Sequence, residues 1–453
     1  MKSLFNLFSF KLLFILPLFI SDIQLFGKTL PPSPQVCRVD EASRDVLTLG
    51  DLINTALTNN PATQVTWWNA QRAVAAVGSA KSAYYPKISF NGSVTHSRDF
   101  QFINGPDANS TILSANVVLE FLVADYGERA ANVQAFMMAL TAAGWESEWA
   151  IQKVMAEVFE NGYSTIYAKD TLEALQLSQE DAKKMLDTAN HLNQVGLSPI
   201  SDVYSSKAAL AQIEIEVAQQ KSTLEIHRAK LAATLGLEAD TPLRLARLNA
   251  LHVPQKDISE LIALAKTTRQ DLMARRARLA EAIARQKKTA ASYGPKLSIY
   301  GRGGADHAVR DKTNADHYQI ALNLDVPLFT GFDATYQNRM AFANVKISEN
   351  ELLQLELNIA LEVLTQSSKV ESSREMLYYA KINLENAQAA YEGTLEKYQA
   401  GKESIAEVSM TLRQIVSARV RYSEINARYL ISIANLAYAT GTLSPYMEDK
   451  CIK

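Results

Sequence analysis

Among the residues that could do chemistry, the six histidines come first: His96, His191, His227, His252, His307 and His317. None stands at a metal-ligand spacing from another, and no phosphate loop or nucleophile elbow accompanies them. Asp306-His307 and Asp316-His317 look like paired acid and base, yet they flank an expected strand turn and read as solvated loop residues. Cys37 and Cys451 sit near the two ends of the chain. In an exported protein they could pair as a disulfide or stay as two free thiols. A more specific pattern is a pair of glycine turns, each followed by acids. Gly196 precedes Pro199 and Asp202, and Gly401 precedes Glu403 and Glu407. An acid in the first turn of a helix complements its dipole, and Ser404 with Glu407 has capping-box spacing. The chemistry on offer is electrostatic, so no enzyme activity, cofactor or metal is expected.

Those turns belong to a duplication. Pro86-Lys87-Ile88-Ser89-Phe90-Asn91-Gly92 recurs as Pro295-Lys296-Leu297-Ser298-Ile299-Tyr300-Gly301, an offset of 295 − 86 = 209. Further on, Gly196 matches Gly401 and Asp202 matches Glu407 at an offset of 401 − 196 = 205. The first copy spans 48–244 and the second 258–445, joined by a linker at 245–257. Copies this long are structural halves and not solenoid units.

Each copy reads as helices, then a hairpin, then more helices. Short helices over 48–60, 61–84, 258–268 and 270–293 end at Tyr84-Tyr85-Pro86 and Tyr293-Gly294-Pro295, because proline disfavours the helical region for its predecessor. Strict alternation follows, with strands expected at about 86–97, 111–124, 295–304 and 316–329. Ile88, Phe90 and Val94 lie on one side, Lys87, Ser89 and Asn91 on the other. Strands near ten residues with an apolar face fit a membrane β-barrel. Four of them cannot close one, since small barrels need about eight strands. If the strands form a barrel and not an ordinary soluble sheet with its polar face to water, oligomerisation is therefore required.

The rest is long helix, from Gly127 to Gln194 and from Asp333 to Gln399, free of proline. At 1.5 Å per residue each would extend roughly 100 Å. The helices that follow keep heptad spacing: Ile405, Val408, Leu412, Ile415, Tyr422, Tyr429, Ile433 and Leu436, with Arg419 and Asn426 filling two slots. In the first turn Gly196 suits a left-handed C′ position, Ser198 a cap and Pro199 the N1 position. Trp67-Trp68 and Trp145/Trp149 sit at helical spacing and read as packing residues.

The ends and the charge narrow the class. Residues 1–27 carry Lys2 and Lys11 around a short apolar run interrupted by Pro17, the pattern of a secretory signal, followed by an N-terminal segment at 28–47; residues 446–453 form a tail. No later stretch approaches transmembrane-helix length, so membrane entry would have to be by strands. A net charge of −2 without basic runs gives nucleic acid no footing.

In this order, the duplicated Tyr-x-Pro-Lys-[Ile/Leu]-Ser motifs, Val326-Pro327-Leu328-Phe329-Thr330-Gly331, Tyr398-Gln399-Ala400-Gly401 and the closing Leu436 to Leu443 make the chain similar to the TolC family of outer-membrane factors over about 48–443. The resemblance implies a mainly α fold with a transmembrane β-barrel portion. It implies a homotrimer in the outer membrane, whose three chains give four strands each to one barrel above a coiled-coil periplasmic tunnel. It implies passive export with a periplasmic adaptor and an inner-membrane transporter (RND, ABC or MFS), as tripartite efflux pump or type I secretion duct. It also implies a gate at the hairpin tips, where Tyr398 and Glu407 match the family; Asp202, the counterpart of Glu407 in the first copy, and Glu403 are the further constriction candidates. Glu403 stands where a basic residue is common and Met410 where a second acid is common. The competing expectation is a soluble periplasmic coiled-coil scaffold or adaptor, extractable without detergent.

Overall fold

The computed structural model describes residues 47–99, 108–246, 257–310 and 312–443. The signal segment, Cys37, Cys451 and His252 lie outside the described residues.

The elements run α1 (Leu49–Asn59), α2 (Pro61–Lys81), a 3₁₀ turn (Ser82–Tyr84), β1 (Lys87–Asp99), β2 (Ala108–Ala124), α3 (Glu128–Gln194) and α4 (Ile200–Thr234). The second copy repeats them as α5 (Ile258–Thr268), α6 (Gln270–Ser292), β3 (Lys296–Ala308), β4 (Thr313–Asp325), α7 (Asp333–Gln399) and α8 (Ile405–Ala439). The duplication is exact where it matters for a wall: α3 and α7 both have 67 residues, and α4 and α8 both have 35. The change of offset falls in the hairpins, where β2 has 17 residues and β4 has 13.

The strands form one antiparallel sheet in the order β1-β2-β3-β4. Their limits differ from the expected ones in one respect that bears on chemistry. β3 continues to Ala308 and β4 begins at Thr313, so Asp306-His307 and Asp316-His317 are ladder residues and not loop residues. Pairing with a partner strand extends the ladder past the point where the apolar alternation fades. The fourth strand stops at Asp325, ahead of Pro327, which cannot donate to a ladder.

One face of this sheet is apolar across all four strands and open. Phe90 is 71% exposed, Ile320 81% and Leu322 67%. The register puts Phe90, Val117, Gly303 and Tyr318 in one row of that face, and Ile88, Leu119, Gly301 and Ile320 in the next. The opposite face carries Ser89, Asn91, Asn116, Glu120, Arg302 and Gln319. An open apolar face of this size needs a lipid or protein cover. No helix among the described residues is long and apolar enough to cross a membrane.

Below the sheet, small side chains let the helices approach closely. Ala131, Ala135, Ala142 and Ala143 of α3 are buried, as are Ala274, Ala277, Ala284 and Ala291 of α6, and these two helices pack together. Midway down, Leu52, Met155, Phe159, Tyr163, Leu231 and Leu235 form the largest core. Arg269 is buried there at the junction of α5 and α6, with its guanidinium 4.7 Å from the Trp149 ring, itself stacked on Tyr438. Trp68, expected to pack, is 64% exposed on α2. A third cluster, around Val203, Tyr391, Tyr398, Val408, Leu412 and Ile415, closes the far end.

Candidate functional site at the hairpin tips

The two long hairpins turn with the same backbone. Gly196 takes φ +79° and Gly401 φ +70°, a conformation that costs a residue without Cβ little. In the first turn the Leu197 N–H donates to the Leu192 carbonyl at 2.8 Å and the Gly196 N–H to Asn193 at 3.0 Å. In the second, Lys402 donates to Lys397 and Gly401 to Tyr398, both at 2.9 Å. Each is a Schellman closure that satisfies carbonyls at a helix end.

The helix starts that follow differ from each other and from expectation. Pro199 occupies the N-cap and Ile200 the N1 position, one residue later than proline at N1 would give. Ser198 does not cap the helix. In α8, Ser404 caps by accepting from the Glu407 N–H at 3.3 Å. The reciprocal half of the capping box is missing, because Glu403 accepts from the Ser404 N–H at 3.1 Å. The half-buried Glu407 carboxylate thus has no hydrogen bond to the helix start among the described residues.

The tip brings Tyr398 and Asp202 together. Tyr398 is 3% exposed, packed among Val203, Ile405 and Val408, and its hydroxyl donates to Asp202 Oδ2 at 3.3 Å. Burial first, and the Asp202 charge second, push the Tyr398 phenol above its ordinary value. Sequence spacing placed both residues near turns; the bond between them joins residues 196 apart.

A second cross-link was missed. Arg419, noted only as a polar residue in a heptad slot, donates to Asp181 Oδ2 at 2.8 Å and to Ser178 Oγ at 2.9 Å, both on α3. Its other guanidinium nitrogen reaches Gln388 of α7 at 2.8 Å, and the Tyr391 hydroxyl donates to the Asp181 carbonyl at 2.9 Å. Arg419 and Asp181 are each 7% exposed. The only local signal was a cation inside an apolar stripe, which requires a buried partner but does not say where it is.

A chain that offers an incomplete apolar sheet at one end of paired 67-residue helices, with charged residues at the far turns, is a wall segment of a membrane channel-tunnel. The family model for outer membrane efflux proteins matches residues 52–237 and 261–442, and the chain belongs to that family. It is a channel protein of the outer membrane. It is 25% identical over 422 residues to the protein CyaE of Bordetella pertussis, covering 92% of this chain and 89% of that one. It is 25% identical over 413 residues to the outer membrane protein TolC of Vibrio cholerae, covering 87% and 91%. The fold matches the outer-membrane channel OprN with a TM-score of 0.78 at 18% identity, over 87% of this chain and 90% of the other.

Proposed function

We propose that three copies of this chain assemble into one outer-membrane export duct, with the repeats 48–244 and 258–445 alternating around its wall. The observation that carries this reading is the four-stranded sheet, which has an open apolar face and two unpaired edge strands, β1 and β4. Four strands are half of the smallest barrel, and free edges demand partners. Three sheets side by side supply lipid-facing surface outside and a polar lumen inside. The same face argues against a soluble scaffold.

In this reading the duct does no chemistry. It delivers substrates handed over by an inner-membrane transporter of the RND, ABC or MFS type and a periplasmic adaptor, as a tripartite efflux pump or a type I secretion system. The tips are its gate. Asp202, Tyr398 and Glu407 form the constriction, Glu403 helps to start α8, and the turns at Gly196, Pro199 and Gly401 take up the motion when the hairpins twist apart. Support comes from the Tyr398–Asp202 hydrogen bond and from the half-buried Glu407 carboxylate, which three-fold symmetry repeats around one axis.

The test is the mass of the detergent-solubilised protein and its conductance in planar bilayers. A particle of three chains that forms channels is expected. A detergent-solubilised monomer would end the shared-barrel reading.

A further inference from the structure

Helices α2 and α6 hold matching places in the two repeats, yet they bury different faces. Each packs on the long helix of its own repeat, α2 on α3 and α6 on α7. Helix α6 packs also on α3 of the other repeat, and α2 has no comparable second partner among the described residues. That second contact buries a stripe on α6: Ala274, Ala277, Glu281, Ala284 and Ala291. Shifted by 209 residues, the stripe becomes Val65, Trp68, Arg72, Ala75 and Ser82 of α2, and all five are exposed. The long helices show the same contrast. Ala131, Ala135 and Ala142 of α3 are buried, and their counterparts on α7, 205 residues on, are the exposed Tyr336, Met340 and Ile347. The joint between repeats is thus closed once inside the chain, and both faces of its second occurrence stand open.

Resting on the trimeric reading, we propose that α2 of one copy docks on α7 of the next, in the antiparallel register that α6 keeps on α3. Two contacts inside the chain fix that register. Arg278 Nη2 meets Glu146 Oε1 at 2.9 Å, and the Arg285 guanidinium lies 6.0 Å from the Phe136 ring. The equivalent positions set Asn69 opposite Glu351, and Ala76 opposite Ala341.

Side-chain sizes fit this register. It brings Tyr336 to Ser82, and Met340 to Gly78 and Ser79, so bulk on α7 meets small residues on α2. A Cβ at Gly78 would have nothing within 4 Å in the single chain, which leaves room there for a neighbour. At the other end the bulk comes from α2, as Val65 and Trp68. Exposed tryptophan and tyrosine are the side chains that anchor well-packed interfaces. The joint inside the chain is filled by alanine from both helices, whereas the joint between copies is filled by large side chains. Helix separation follows the side chains at the contact, so one repeated backbone makes two different joints. Trp68, exposed in the single chain, gains its packing across the chain boundary.

The test uses full-length protein with Cys37 and Cys451 changed to serine, treated in membranes with a short bis-maleimide. Asn69→Cys with Glu351→Cys in one chain should give covalent dimers and trimers on a denaturing gel, and so should Ala76→Cys with Ala341→Cys. Asn69→Cys with Glu371→Cys, displaced about 30 Å along α7, should give neither. In detergent, Trp68→Asp or Met340→Asp should raise the protein concentration at half-assembly about ten-fold. The helical circular dichroism should stay unchanged, because both side chains are exposed in the single chain. Phe342→Asp should leave assembly as it is, since Phe342 and its counterpart Met137 are both exposed. Conducting trimers that link only through the displaced pair, or that ignore both Trp68→Asp and Met340→Asp, overturn this joint and leave the duct intact. Linkage of either face to a different protein in place of a second copy overturns it as well. Protein that stays monomeric and forms no channels removes the trimeric reading and the joint with it.

Discussion

The two hairpin tips share one turn and divide one task unequally. Shifted by 205 residues, Tyr398 corresponds to Asn193 and Asp202 to Glu407. Tyr398 reaches Asp202 in the other repeat, whereas the Asn193 amide turns back to donate to its own Ser198 carbonyl at 2.8 Å. The deeper link follows the same rule. Arg419 and Asp181 correspond to Glu214 and Asn386, and the exposed Glu214 only accepts from Gln179 of the same repeat at 3.2 Å. Both ties therefore run one way, from the second hairpin to the first. Two repeats with the same backbone are thus fastened asymmetrically, by side chains alone; in the proposed trimer that asymmetry would turn a nearly six-fold wall into a three-fold one.

Breaking the deeper tie should have the largest effect. Asp181→Ala leaves the buried Arg419 charge without a carboxylate and should cost about 3–5 kcal/mol, read as a lowered thermal midpoint; Arg419→Ala should cost somewhat less, because Lys184 stays 3.6 Å from Asp181 Oδ1. The paired replacement Arg419→Met with Asp181→Leu should restore most of that loss. Mutating the corresponding Glu214→Ala should leave the midpoint nearly unchanged; an equal loss there would erase the asymmetry.

Cutting the tip tie comes next. Tyr398→Phe or Asp202→Ala removes one hydrogen bond, about 0.5–1.5 kcal/mol, and should raise single-channel conductance. The double variant should add little to either single one, because both cut the same bond. Asn193→Ala should leave conductance unchanged. Independent, additive effects of Tyr398 and Asp202 would show that the bond is not the tie.

The tip should also respond to strong alkali. The Tyr398 phenol is held above its ordinary value by burial and by Asp202. Its neutral form's contribution is therefore complete below the unfolded tyrosine value near pH 10 and is lost as pH rises through the folded value. Conductance steady to about pH 10 and rising beyond it, with the rise absent in Tyr398→Phe, is the expected profile. The smallest effect should come from the helix starts. Ser404→Ala loses a cap worth about 1 kcal/mol, while Pro199→Ala removes no side-chain cap and should change stability less.

Much of the architecture was legible because it is local. The limits of α3 and α7 lie within a residue of the Gly127–Gln194 and Asp333–Gln399 segments, since proline-free periodicity and Schellman glycines are properties of neighbouring residues. The heptad slots of α8 were equally readable, and Ile405, Val408, Leu412, Ile415, Ile433 and Leu436 are all buried. Helix starts were read less well. Glu403, the residue adjacent to Ser404, takes its N–H in place of Glu407 three residues on, a competition that spacing alone does not rank. Asp306 and His317 looked like loop residues because each sits where alternation weakens, and only the pairing of β3 with β4 sets them face to face.

By itself the sequence determined the duplication, the switch from period two to helical period, the turn glycines and the open apolar strand face. Each of these depends on residues close together in the chain. The tertiary structure decided which polar side chains meet: Tyr398 with Asp202, Arg419 with Asp181, and His317 with Asn116 and Asp306. A buried or facing polar group demands a partner, but the chain carries no local mark of a residue some 200 positions away. Only the packing of one repeat against the other chooses it.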